Sequence, residues 1–312
     1  MVFLFLIVSI ERGNKKMKTK QELWNEYHTK KTKEEKDEFL ASLSDEEHYN
    51  MMTLPIGNVA RIYLTGFRKA RQSKNLDKYI IHIPHSSLKV PEHFKQELTI
   101  SNDQFNKENQ FMCDYLIDKF VPDNFNNIIK FNYSRMYCDV ERYIDNSKEQ
   151  MSKYGMGVIY TKDSNGNKFI KRNKQDKQII IKEYLNHHNK LDNLVEEKLN
   201  KYNKCFIIDL HSFSDEFVYK IFKKENNPDI CIGINTNNYD ETLLQITINH
   251  FKKYGYSVKI NYPYSGSIIS NKYPIVKSIM IEINKRIYLN NKDDYNKLYK
   301  CMMEYYKELK RY

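Results

Sequence analysis

The feature that most restricts what this chain can become is an alternation. Short apolar runs that end abruptly in polar residues are separated by longer stretches with helical spacing. The runs are "KYIIHIPHSS", "NNIIKFNYS", "KCFIIDLHS", "DICIGIN", "YSVKINYP" and "SIMIEINKR". Among the longer stretches, "SNDQFNKENQFMCDYLIDKFV" opens on Ser101, a good helix N-cap, and "QDKQIIIKEYLNHHNKLDNLVEEKLNKY" is amphipathic throughout. "ETLLQITINHFKKYGY" is a helix that Gly255 brings to an end, and "DDYNKLYKCMMEYYKELKR" is a closing helix. Strands alternating with helices predict an α/β fold with a largely parallel sheet covered on both faces.

The 312 residues suffice for one large α/β domain or two small ones. No Pro-rich or Ser-rich linker divides the chain, which favours one α/β domain over residues 76–312. Residues 1–75 are expected to be a helical extension, because "TKQELWNEYHTKKTKEEKDEFLASL" reads as an exposed, charged helix or helix pair. The apolar run Val2–Ile10 is too short to span a bilayer and lacks the flanks of a signal peptide. Met17 is a candidate start. "KDSNGNKFIKRNKQ" is the best loop, with Gly and Asn where a hairpin or lid would bend.

A net charge of +11 invites a nucleic-acid reading, but the basic residues are spread along the chain among 40 acids. The five cysteines contain no C-x-x-C pair, which removes zinc-finger and redox-motif readings. Cys205 and Cys231 lie in apolar strands as core thiols. The odd, scattered set fits a reducing cytoplasm. There is no G-x-G-x-x-G, no G-x-x-x-x-G-K and no G-x-S-x-G, so nucleotide cofactors and a serine nucleophile lack support. Ser86, Ser87 and Ser212 read as hydrogen-bond donors.

Chemistry-bearing residues collect near the strand ends: His82 and His85, Arg135 and Asp139, Asp209 and His211, and Glu282. In open α/β sheets this edge holds the ligand. Glu282 lies among Met280, Ile281 and Ile283, where a carboxylate is costly without a partner. It reads either as a salt bridge with Arg286 or as a general base in a sheltered cleft. Asp209 and His211, two apart on a strand, share a face. They read either as a turn cap with a satisfied polar histidine, or as a metal-binding histidine with a carboxylate behind it. Two histidines and one carboxylate would make a zinc site with an open position.

Taken in order, "HIPHSS", "MCDYLIDKF", "SRMYCDVERY", "EQMSKYGMGVIYT", "FIIDLHSFS", "PDICIGIN", "NYPYSGS" and "IMIEINKRIY" resemble the N-formylglutamate amidohydrolase family, over about residues 78 to 290. That family is similar in turn to the zinc carboxypeptidases and aspartoacylases. The resemblance implies a three-layer α/β/α fold with a central mixed, mostly parallel sheet, of the phosphorylase/hydrolase-like, zinc-peptidase-like kind. It implies an enzyme of amino-acid metabolism, a zinc-dependent hydrolase with one zinc per chain. The substrate would be a small N-acyl amino acid such as N-formylglutamate, with no nucleic-acid or membrane partner.

Carried over by residue, the resemblance makes His85 and His211 zinc ligands and Glu282 the carboxylate that activates water and protonates the leaving amine. Arg135 would polarise the scissile carbonyl and Arg142 would grip the substrate carboxylate, a task for a planar bidentate donor. The carboxylate ligand that the distant relatives carry three residues after the first histidine is replaced here by Leu88; Asp114 is chosen as third ligand. Their asparagine before the second arginine is Glu141 here, an added negative charge that weakens the case for an acidic substrate. His188 is a candidate oxyanion donor, against the alternative of a packing histidine on a long helix. Ser86, Asn261 and Gly266 are expected around the substrate. The same fold acting on a larger amide, peptide or cell-wall fragment, and a non-catalytic basic binding protein, stay open as alternatives.

Overall fold

In the computed structural model, residues 18–43, 47, 76–172 and 174–312 are described. The apolar run Val2–Ile10 and Met17 lie outside them. The chain divides into two compact units, Met1–Lys74 and Asn75–Tyr312.

In the first unit, helices α1 (Lys20–Thr29) and α2 (Lys33–Ser42) each open on a threonine capping box, Thr19 with Glu22 and Thr32 with Glu35. Each box satisfies two backbone donors that the first helical turn leaves unpaired. Leu23, Phe39, Leu40 and Leu43 are buried, and the rings of Tyr27 and Phe39 lie 6.3 Å apart.

The second unit is an α/β domain. Its elements are β1 (Tyr79–Ile83), α3 (Glu92–Gln96), α4 (Asn102–Met112), β2 (Ile128–Lys130), α5 (Lys174–Tyr202) and β3 (Phe206–Phe213). There follow α6 (Asp215–Phe222), β4 (Ile230–Gly233), α7 (Glu241–Lys253), β5 (Val258–Ile260), β6 (Lys277–Asn284), α8 (Arg286–Leu289) and α9 (Lys292–Leu309). The sheet order is β2-β1-β3-β6-β4-β5, with β4 antiparallel to β6 and every other pairing parallel. The sheet is therefore mixed and mostly parallel, as the alternation and the resemblance imply.

Strand periodicity sorts the core. Tyr79, Ile81 and Ile83 of β1, Phe206, Ile208 and Leu210 of β3, and Ile279, Ile281 and Ile283 of β6 join one large cluster. Leu243 and Phe251 of α7 and Leu298, Met302 and Tyr305 of α9 belong to the same cluster. The alternate residues Ile80 and Ile207 pack with Leu191 and Val195 of α5 on the opposite side. Side chains two apart share a face, so one face of the sheet carries these apolar residues through Leu210 of β3 and Ile283 of β6. The other begins apolar and turns polar at His82, Asp209, His211 and Glu282.

Local signals set the helix ends. Ser101 caps α4 in a box with Gln104, Asp240 caps α7, and Gly255 lies beyond the α7 C-terminus at φ 82°. The longer helix expected through "MCDYLIDKFV" stops at Met112; the chain turns at Asp114 and resumes as a short 3₁₀ turn over Ile117–Phe120. The loop "KDSNGNKF" is a tight hairpin, bridged from Lys162 to Lys168 with Gly166 at φ 85°. All five cysteines are free and buried.

Candidate metal and hydrolase site

The parallel strands β1, β3 and β6 deliver their polar residues to one edge. His82 pairs in register with Asp209, and His211 with Glu282. Pro84 ends β1 and presents His85 in the following turn. The backbone N–H of Asp114 donates to the carbonyl of His85 at 2.8 Å, joining the α4 turn to that corner. Lys285, just past β6 and nearly buried, donates from Nζ to the carbonyls of Phe111 and Cys113 at 2.6 and 2.7 Å, clamping the same turn from the other side.

Three donor groups meet there. His85, Asp114 and His211 are buried, and their ligand atoms lie within 4.8 Å of one another. Asp114 Oδ2 is 3.1 Å from His211 Nδ1 and 3.7 Å from His85 Nδ1. Behind them stand carboxylates. His85 Nε2 donates to Asp139 Oδ1 at 2.8 Å, and His211 Nε2 donates to Asp209 Oδ1 at 2.9 Å. Glu141 Oε2 lies 3.1 Å from His211 Nε2.

Asp139 is a hub. It also accepts Arg135 through Nε and Nη2 at 3.1 and 2.8 Å, the Tyr160 hydroxyl at 2.9 Å and the Glu141 N–H at 3.1 Å. Burial would raise its pKa, but Arg135, Arg142 and His85 hold it well below the carboxylate range. His85 is pushed down by burial and by Arg135, so it is neutral, with the proton on the nitrogen that faces Asp139. Its Nδ1 is then bare, and that atom is buried without a hydrogen-bond partner. His211 moves the other way. Burial opposes its charge, but Glu141, Asp209 and Asp114 lift it well above its usual value.

This donor set fits a divalent cation. Each histidine offers Nδ1 and has Nε2 held by a carboxylate, the arrangement that orients metal-ligating imidazoles. Ligands about 2.0–2.2 Å from a tetrahedral ion stand roughly 3.3–3.5 Å apart, close to the spacing around Asp114. The surplus of carboxylates that now protonates His211 would be balanced equally well by an ion.

Glu282 is 7% exposed and its Oε2 has no hydrogen-bond partner. Burial, with Asp114 and Glu141 adding to it, raises its pKa to about 8, while His211 and Arg135 pull the other way. The alternative of a salt bridge with Arg286 does not hold: Arg286 binds Asp215 and Asp229 at 2.6 and 2.9 Å. Ser86 Oγ is likewise buried without a partner. Arg142 donates from Nε to the Met156 carbonyl at 3.3 Å. Gly266, at φ 86°, lets its loop press a carbonyl against Gly233, where any Cβ would collide with it. The same loop donates Ile268 N–H to Asp209 Oδ2 at 3.1 Å.

Two expected site residues have other partners. His188 donates from Nε2 to the Val140 carbonyl at 2.7 Å, and its Nδ1 faces the Asn271 amide at 3.4 Å. With both ring nitrogens engaged, His188 ties the 135–142 segment to α5 and is not an oxyanion donor. Asn261 is exposed, and its Oδ1 accepts the Ile234 N–H at 2.9 Å, so it joins the ends of β4 and β5. Conversely, His187 went unassigned in the sequence. It occupies the buried stripe of α5 with Ile180, Leu191 and Val195. A histidine on an apolar helical face was the available signal.

Fold and cluster together define a class: α/β proteins that collect imidazoles, carboxylates and arginines at one edge of a mostly parallel sheet. Residues 77–289 match the model of the N-formylglutamate amidohydrolase family, and the chain belongs to that family. The family indicates a hydrolase acting on amide bonds. Two solved structures share the fold. An N-formylglutamate amidohydrolase from Ralstonia eutropha JMP134 is 18% identical, aligned over 75% of this chain and 92% of its own, with a TM-score of 0.64. A gene product from Agrobacterium tumefaciens is 15% identical over 74% and 92%, with a TM-score of 0.54. No curated protein matches the chain. No helix among the described residues is long and apolar enough to cross a membrane.

Proposed function

We propose that this protein is a zinc-dependent amidohydrolase that cleaves the amide of a small N-acyl amino acid such as N-formylglutamate, in the cytoplasm, with residues 76–312 as the catalytic domain. The observation that carries the reading is the bare, buried, unpartnered Nδ1 of His85, set beside Asp114 and His211.

His85, Asp114 and His211 would hold the ion. When bound, zinc supplies Lewis-acid polarisation of the scissile carbonyl and acidifies water. The remaining work falls to side chains. Glu282 takes a proton from the attacking water and returns it to the leaving amine nitrogen, for which its unpartnered Oε2 is available. Arg135, aligned by its paired bonds to Asp139, donates to the oxygen that gains charge. Arg142 holds the substrate carboxylate, and the free Ser86 hydroxyl donates to the substrate. Gly266 shapes the rim of the pocket. Glu141 adds negative charge beside the cluster.

The test compares zinc content of the purified protein with that of a His85→Ala/His211→Ala variant, followed by assays on N-formyl amino acids and short peptides. About one zinc per chain, absent from the variant, with turnover of the formyl compounds, is the expected result. No metal uptake by either protein after zinc is supplied would overturn the reading.

A further inference from the structure

Behind His211 runs a chain of buried polar groups that the mechanism above does not use. Asp209 Oδ1 takes His211 Nε2–H at 2.9 Å and His82 Nδ1–H at 2.8 Å, while Oδ2 takes the Ile268 N–H at 3.1 Å. On the far side of His82, its Nε2 lies 2.8 Å from Nε2 of His187, which reaches across from α5. Exposure is 0% at His82, 4% at His187 and 1% at Asp209.

His82, Glu141 and Asp209 are also close enough to be read as a second cation site. The spacing argues against it. A bond of 2.8 Å already joins Asp209 to His82, shorter than the roughly 3.3 Å between ligands around one tetrahedral ion. The group is closed by hydrogen bonds and acts on its neighbour.

We propose that His187 and His82 are positioning residues: through Asp209 they fix the rotation of His211 so that its Nδ1 points at Asp114. The inference rests on the metal-site reading. A carboxylate held at both oxygens cannot rotate, so Asp209 presents Oδ1 to His211 in one orientation. Burial drives the His187 pKa down to about 2, so that ring is neutral and has a single proton to place. With His82 donating to Asp209 through Nδ1, its Nε2 is left facing Nε2 of His187 at 2.8 Å, and one hydrogen bond joins the two rings. One hydrogen bond therefore sets the next. A purely structural contact between α5 and the sheet would be made more stably by apolar side chains, as Leu191 and Val195 do further along.

The test measures zinc affinity by chelator competition, the visible spectrum of the cobalt(II) form, and thermal unfolding, for wild type, His187→Phe and His187→Gln. Glutamine keeps an N–H donor near the position of Nε2; phenylalanine keeps the ring and removes the donor. Zinc affinity about 10-fold weaker and an altered cobalt spectrum in His187→Phe, with both restored toward wild type in His187→Gln, are expected. Should the phenylalanine variant not fold, His187→Asn, which shortens the reach, replaces it. Equal affinity and identical spectra in all variants would overturn the positioning role while leaving the metal site intact. So would losses that track thermal stability alone. Failure of the wild-type protein to bind zinc or cobalt would instead remove the metal-site reading, and this inference with it.

Discussion

On one side of β3 stand Phe206, Ile208 and Leu210; on the other stand Ile207, Asp209 and His211. Every one of these residues is buried. The two faces differ in what burial demands. The apolar face needs only packing partners, which α7 and α9 supply. On the polar face, each buried N–H, carboxylate or imidazole is costly unless paired. Most of them are paired there, in a network running from His187 to Asp114 on one branch and from Arg135 to His85 on the other. The few that are not, His85 Nδ1, Ser86 Oγ and Glu282 Oε2, are the atoms a metal ion and substrate would engage. Buried tyrosine hydroxyls at Tyr79, Tyr256 and Tyr306 also lack partners, so what singles out the polar edge is that His85, Ser86 and Glu282 lie beside the same cluster of charged groups.

The sharpest way to separate the faces is Glu282→Gln. It should lower turnover of an N-formyl amino acid about 1,000-fold, with zinc content and melting temperature unchanged. Full activity in that variant would end the role assigned to Glu282. Ile281, one residue earlier, faces the other way. Ile281→Ala should cost about 3 kcal/mol of stability in denaturant titrations and leave turnover per folded molecule unchanged. If activity fell with no loss of stability, the division between faces would be wrong.

Zinc should stabilise through the polar face alone. At about 100 times its dissociation constant it should add about 2.7 kcal/mol to unfolding of wild type and nothing to His85→Ala/His211→Ala. Equal stabilisation of both proteins would place the ion elsewhere.

The smallest effect lies outside the site, at Arg286. Burial would raise Asp215 and Asp229, but hydrogen bonds from Arg286, Asn284, Asn227 and Ser257 lower both. Depressed folded values mean that this stability is present above the unfolded carboxylate pKa of about 3.9 and is lost as pH falls through the folded values. Arg286→Ala should flatten the acid side of the stability profile by about 1 kcal/mol, since the groups are partly exposed. A steeper acid limb in the variant would contradict the sign.

Much of the site was legible because local patterns encode it. "FIIDLHS" announces a strand whose polar residues share one face, and Glu282 stands out among isoleucines. Asp114 was named through the resemblance, and the fold brings it to His85 and His211 by breaking a helix that periodicity alone would have continued. The bond from His85 to Asp139 and the clamp of Lys285 were not legible, since each joins segments far apart in the chain. His188 and Asn261 show the converse: suitable side chains at suggestive positions, occupied by backbone groups that only packing brings near.

The sequence by itself determined the alternation of strands and helices, the parity that sorts each strand into two faces, and the residue types at the sheet edge. These follow from side-chain periodicity and local capping, which act over a few residues. Tertiary structure alone decided which imidazole nitrogen is bare, which carboxylate lies behind it, and that a histidine on α5 reaches the network. Those depend on contacts between residues a hundred or more positions apart, 105 for His82 and His187 and 174 for Lys285 and Phe111, and on the desolvation that only a closed core imposes.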